Sequence, residues 1–272
     1  MSIQKSRVRL RTLTAVAGFV LVAIAVPRPV GGAPPSSEMH LTFESHFDSL
    51  VGLSADGKIW STFGGDGWRT LENNKEAQFY SDASVGVNPF SVEDGILTIT
   101  AAPGKNPVGL PFNSGILTTR RSFRQLYGYF ELRARLPAGA GLWPAFWLLP
   151  DNGRWPPEID VLEQLGNMPA TIYVGTHSAA GGPNVATTTA VSVADTSDGF
   201  HVYGLEWEDS HIAWYFDGRL VYRIPTPADL HVPMYLVLNL AVGGSGSWPG
   251  PPTEQTVFPA KFRIDYVRAY AR

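Results

Sequence analysis

The chain contains no cysteine among its 272 residues. That excludes a disulfide framework, thiol nucleophiles and thiolate metal sites, and leaves the fold to be held by its core. Charged residues make up only 17% while hydrophobic residues reach 44%, enough to bury a full core in one domain. From Leu41 onward no run shows helical periodicity. No internal repeat of about twenty to fifty residues occurs, which disfavours propellers and solenoids. His40, His46, His201, His211 and His231 do not fall at metal-ligand spacing. Gly64-Gly65-Asp66-Gly67 and Gly243-Gly244-Ser245-Gly246 lack the strand–helix context of a phosphate-binding motif and read as loops.

One apolar stretch stands apart. Lys5, Arg7, Arg9 and Arg11 precede Leu13 to Val26, a run short for a membrane span and typical of a secretory signal. Ala23-Ile24-Ala25 offers a cleavage site, with Gly31-Gly32-Ala33 as a later option; an uncleaved anchor is the competing reading. Loss of residues 1–25 removes four of the 21 basic side chains and no acid, leaving 17 against 24 and a net charge of −7. This balance argues against a nucleic-acid or anionic-membrane partner and fits a secreted or periplasmic protein with a neutral ligand. Residues 26–40, rich in Pro, Gly and Ser, read as a disordered lead-in, and residues 41–272 as one domain.

What the body of the chain does contain is short alternating apolar stretches between clusters of Gly, Pro, Asn and Asp: 96–101, 127–135, 172–177, 201–207, 212–216, 236–241 and 262–270. Asp217-Gly218 between two such stretches predicts a tight hairpin. The pattern implies an all-β protein, a jelly-roll sandwich of two curved antiparallel sheets.

Residues 158–163 read Glu-Ile-Asp-Val-Leu-Glu. Strand alternation puts Glu158 and Asp160 on one face and sends Glu163 to the other. A β-bulge at Val161-Leu162 restores the phase and turns all three acids to the same side. A solvated acidic edge strand is the plain alternative, but Trp143, Trp147 and Trp155 lie within twenty residues upstream, and such a strand has no reason to sit beside three large apolar rings. Acids beside exposed indoles suggest a sugar-binding cleft, since pyranose faces stack on aromatic planes. Trp155 is the best platform candidate, then Trp143; Trp147 is evenly balanced between cleft and core. Trp248, in a Gly/Pro-rich loop, is a candidate for a remote subsite, whereas Trp60, Trp207 and Trp214 read as packing residues. Three clustered acids cannot all ionise cheaply, so repulsion is expected to keep one protonated near neutral pH.

From about Thr42 to Tyr270 the chain resembles glycoside hydrolase family 16. The resemblance is carried by an ordered set of blocks: Asn73-Asn74-Lys75-Glu76, Ser114-Gly115-Ile116-Leu117-Thr118-Thr119, Tyr127-Gly128-Tyr129-Phe130-Glu131, Gly141-Leu142-Trp143-Pro144-Ala145-Phe146-Trp147, the acidic motif, Gly175-Thr176-His177, Leu238-Asn239-Leu240-Ala241-Val242-Gly243-Gly244 and Asp265-Tyr266-Val267-Arg268. The bulged acidic motif is similar to that of laminarinases, and the segment from Asn73 to Tyr80 to bacterial exopolysaccharide-trimming glycanases. Pro157 departs from the pattern, standing where the family usually has glycine.

The resemblance implies a concave-face cleft with Glu158 as nucleophile, Glu163 as general acid and then base, and Asp160 between them. It implies His177 as a substrate contact near the leaving group. Asn74 and Glu76 would be ligands to sugar hydroxyls, as would Arg120 or Arg121. Catalysis would need no cofactor, while a structural calcium could be held by Asp265 and Glu44. The activity so implied is a retaining endo-β-glycanase acting on β-1,3 or mixed β-1,3/1,4 glucan as a monomer. An exopolysaccharide-processing glycanase or transglycosylase is the alternative, and a non-catalytic carbohydrate-binding jelly-roll a third.

Overall fold

The structure is a computed structural model and describes residues 38–54 and 57–272. The signal-peptide reading of residues 1–25, and most of the lead-in, fall outside the described residues. Two large sheets account for the chain. One has ten strands, in the order 219–225, 211–216, 201–207, 128–135, 260–271, 96–103, 112–114 and 78–80, with His40–Ser45 and Phe90–Glu93 attached at its side. The other has nine, in the order 185–186, 171–178, 158–163, 142–150, 234–242, 116–118, 60–61 and 53–54, with Thr189–Ser192 attached.

Each stretch expected from alternation is a strand. His201–Trp207 matches its expected limits, and the others extend by one to three residues or, at Tyr127, lose one. Pairing is antiparallel with two exceptions: Leu53–Ser54 runs parallel to Trp60–Ser61, and Gln78–Tyr80 parallel to Phe112–Ser114. The second pair forms through the long connection from 81 to 111, which local turn chemistry does not reveal. Asp217 and Gly218 both adopt positive φ, at 47° and 78°, the conformation a two-residue hairpin demands.

The core lies between the sheets. Phe146, Leu148, Ile159, Leu236, Leu238 and Leu240 of the nine-stranded sheet meet Phe130, Leu132, Leu205, Trp207, Trp214 and Phe262 of the ten-stranded one, all fully buried. At roughly 25 cal/mol per Å² of apolar surface removed from water, this contact is the main source of stability in a chain without covalent cross-links. Trp60, Trp207 and Trp214 are buried packing residues, as their context predicts.

In the central strand Leu142–Pro150, alternate side chains therefore divide: Phe146 and Leu148 enter the core, while Trp143, Ala145, Trp147 and Leu149 face outward and line a groove. The sheet's outer face is thus presented as a cleft.

Candidate active site

The strand Glu158–Glu163 is irregular on both flanks. Against Leu142–Pro150, Trp147 pairs with Asp160 but Phe146 with Leu162; against Thr171–Ser178, Gly175 pairs with Asp160 and Tyr173 with Glu163. One extra residue is inserted after Asp160, and Ile159, Val161 and Leu162 all turn to the core. Glu158, Asp160 and Glu163 consequently share the cleft, a cavity of about 1000 Å³.

Each acid is met by an indole. Trp155 Nε1 donates to Oε2 of Glu158 at 2.8 Å, and Trp143 Nε1 donates to Oε1 of Glu163 at 3.0 Å. Trp214, from the opposite sheet, donates to the backbone carbonyl of Asp160 at 2.8 Å. Asp160 is only 2% exposed. Burial pushes the Asp160 carboxyl well above the usual range, and the charges of Glu158 and Glu163 push it further. The contact between Asp160 and Glu158 raises the former and lowers the latter, so it favours the protonated form of Asp160 and the ionised form of Glu158. Burial also raises Glu158, opposed by His177 and by the Trp155 and Asp160 hydrogen bonds. Glu163 is raised to about 8, first by burial and then by the charge of Glu158, with the Trp143 bond opposing. Repulsion was expected to be the cause; loss of hydration is the larger one, and it favours the protonated form at both Asp160 and Glu163.

The remaining expected residues divide. Trp155 is 56% exposed, with its ring centroid 5.5 Å from that of His177. His177 pairs across the ladder with Glu158, and its Nε2 lies 3.8 Å from Glu158 and 3.9 Å from Asp160. It therefore stands beside Glu158 and Asp160, on the cleft lining. Trp147 faces the cleft, its N–H donating to Asn239 Oδ1 at 2.7 Å. Trp248 is not remote: its ring lies 5.5 Å from that of Trp143 and 4.7 Å from that of Tyr173, forming an aromatic corner at the Glu163 end.

Asn74 is exposed on the cleft wall in a 3-10 turn at Glu72–Asn74. Glu76 lines the same wall, but its carboxylate accepts from the Leu71 amide at 2.9 Å and from Gln78 at 2.6 Å. Both bonds fall on Oε2, so Glu76 braces the wall from a place on the cleft lining. Of the two arginines, Arg120 lines the cleft, paired with Asp66 and placed over the Tyr235 ring; Arg121 lies over Phe63 instead. Trp68 was missed: its ring packs 6.4 Å from Trp147, extending the aromatic floor. The only signal for it was a tryptophan beside a glycine-rich loop, remote in sequence from the acids.

The calcium candidates do not fit the ion. Glu44 accepts from Arg268 at 2.8 Å and contacts His46 at 2.7 Å, while Asp265 pairs with Arg133. Each carboxylate is already neutralised by a basic side chain, which leaves no anionic pair for a hard divalent cation.

A two-sheet β-sandwich whose outer face carries three aligned carboxyls rimmed by indoles has the layout of a jelly-roll glycoside hydrolase. The sequence match is specific: residues 75–268 match the model of Glycosyl hydrolases family 16, and the chain belongs to that family. It is 43% identical over 242 residues to endo-1,3-1,4-beta-glycanase EglC of Rhizobium meliloti, covering 85% of this chain and 51% of that protein. To ExsH of the same organism, also named an endo-1,3-1,4-beta-glycanase, it is 42% identical over 247 residues, covering 86% and 52%. The chain spans about half the length of these two glycanases. Among solved structures, the laminarinase of Rhodothermus marinus superimposes with a TM-score of 0.73 at 33% identity, covering 85% of this chain and 97% of that one. The laminarinase catalytic domain of Thermotoga maritima does so with a TM-score of 0.75 at 32% identity, covering 86% and 98%.

Proposed function

We propose that this protein is a secreted, retaining endo-β-glycanase that cleaves β-1,3 or mixed β-1,3/1,4 glucan. The observation that carries the reading is the bulge after Asp160, which brings Glu163 onto the same face as Glu158, with Glu163 raised to about 8. The relatives named as endo-1,3-1,4-beta-glycanases and laminarinases supply the substrate class.

In this reading Glu158, ionised and held by Trp155, attacks the anomeric carbon and forms a glycosyl-enzyme ester. Asp160 keeps its proton, fixes the Glu158 rotamer and avoids adding a further buried charge. Glu163, protonated at neutral pH, gives its proton to the departing glycosidic oxygen; as a carboxylate it then takes a proton from water, which releases the sugar with net retention. Trp155, Trp147 and Trp68 provide faces for sugar rings on one side of the acids, and Trp143 and Trp248 on the other. Family 16 enzymes need no cofactor for this chemistry. Among the described residues no helix is long and apolar enough to cross a membrane. Export as a monomer, with residues 1–25 as the signal, completes the reading.

The test is reducing-end release from laminarin and barley mixed-linkage glucan, with Glu158→Gln as the blank. Chain shortening by the wild type alone supports the proposal. Equal release by the variant, or none by the wild type from either glucan, overturns it.

A further inference from the structure

The fully buried indole of Trp214 belongs to the ten-stranded sheet, yet its N–H crosses the core to the carbonyl of Asp160 in the other sheet. Asp160 is the last residue in register before the bulge on both flanks of its strand. Trp214 also sits at a register shift, where it pairs with Tyr222 while Tyr215 pairs with Leu220. A bonded strut thus joins two irregular points, one of them the residue from which the acid motif changes phase.

A bulge is a local solution that a slip of one residue undoes, and such a slip exchanges every side chain beyond it between faces. Beyond Asp160 the exchange would send Glu163 toward the core and bring Leu162 into the cleft. Burial already opposes that exchange, since it would place the Glu163 carboxyl in the core, but burial does not fix where the backbone of the extra residue bends. A directed donor on the Asp160 carbonyl does fix that point, since a shifted backbone would leave an indole N–H buried without an acceptor.

We propose that Trp214 is a positioning residue for the reaction: its N–H pins the Asp160 carbonyl and thereby keeps Glu163 in phase with Glu158 on the cleft face. The inference rests on the assignment of those two glutamates as the working pair. It differs from an ordinary core role for Trp214 because the bond, and not the ring, is what matters.

The experiment compares Trp214→Phe with Trp207→Phe. Trp207 is equally buried in the same core and donates its N–H to Leu230 O at 3.2 Å, a bond that does not involve the acid strand. A third protein carries the benzothiophene analogue of Trp214, which keeps the bicyclic shape without the N–H and guards against misfolding of the phenylalanine variant. Active-site concentration is counted with a covalent mechanism-based inactivator, and kcat and KM are measured on laminarin and on an aryl β-glycoside whose leaving group needs no proton. The expected result is a fall in kcat on laminarin of about 10- to 100-fold for both Trp214 replacements, with KM within about twofold and a much smaller fall on the aryl glycoside. Trp207→Phe is expected to keep its kcat.

Equal losses for the two positions, or unchanged kcat in the benzothiophene protein, would overturn the positioning role while leaving the glycanase reading intact. A wild type inert on glucan would instead overturn that reading. In that event crystal structures of the three variants decide the positioning role: Glu163 is expected to lose its bond from Trp143 only when position 214 lacks a donor, and an unchanged Glu163 refutes the proposal.

Discussion

Trp143 and Glu163 lie on adjacent strands of the cleft sheet, and the indole N–H of the first donates to the carboxyl of the second at 3.0 Å. The bond opposes the effects of burial and of Glu158, and favours the ionised form of an acid that has to be protonated to act. It fixes where the acid sits at some expense of its proton affinity. Replacing Trp143 with Phe removes the donor, so the alkaline limb of kcat/KM, expected near 8 in the wild type, moves upward by a few tenths to about one pH unit. The acid limb, set by ionisation of Glu158, lies above the ordinary carboxylate range and shifts little. A pH–rate profile of both proteins checks the direction; a downward move contradicts the assignment of Glu163 as the acid.

The same proton has a consequence for folding. Glu163 titrates near 4.5 when unfolded and at about 8 in the fold, so the folded state binds the proton more tightly. Its stabilising contribution is complete below the unfolded value and is lost as pH rises through the folded one. Glu163→Gln cannot ionise and escapes this loss. The variant is expected to be more stable than wild type at pH near 8 by on the order of 1 kcal/mol, discounted for the partial exposure of the side chain, and roughly equal near pH 4.5. Thermal melts at the two pH values should show the Tm gap opening by about 2–4 °C. A gap that is independent of pH would argue that Glu163 ionises normally.

Glu76 and Asn74 stand close together on the cleft wall but should behave differently. Glu76→Ala leaves the Leu71 amide and the Gln78 side chain without their acceptor, a loss of about 1–3 kcal/mol that lowers Tm. Asn74→Ala removes one of several bonds to Glu76 and leaves the Leu71 and Gln78 bonds in place, so it should raise KM while lowering Tm much less than Glu76→Ala. Melting and steady-state kinetics on both variants separate the roles, and the opposite pattern would return Glu76 to the substrate-contact class.

Chelation provides a further check. With Glu44 engaged by Arg268 and His46, and Asp265 by Arg133, exhaustive treatment with EDTA is expected to leave Tm unchanged. A fall of several degrees, restored by calcium, would show that oxygen ligands other than this pair bind the ion.

Much of the site was legible because the relevant physics is local. Alternation along 158–163 left Glu163 out of phase, and only a bulge could return it; the ladder shifts by one residue at that place. The tryptophans near the acids in sequence are near them in space, since the central strand Leu142–Pro150 lies directly beside the acid strand. Long-range partners were not legible. Trp68 reaches the cleft floor from a loop remote in sequence, and Trp214, read only as packing, delivers its N–H across the core. The bracing role of Glu76 was not legible, because its own spacing says nothing of the Leu71 amide folding back onto it. That His177 stands opposite Glu158 was not legible either, because the register is a property of paired strands.

By itself the sequence determined the all-β alternation, the Asp217-Gly218 hairpin, the absence of thiol chemistry and the phase that calls for a bulge, since each depends on the conformational preferences of neighbouring residues. The tertiary structure alone decided which carboxyls are pushed toward the protonated form, because that depends on water excluded by residues distant in sequence. It also decided which arginine faces the cleft and which carboxylates are already held by cations, because those follow from strand register and from the packing of one sheet on the other.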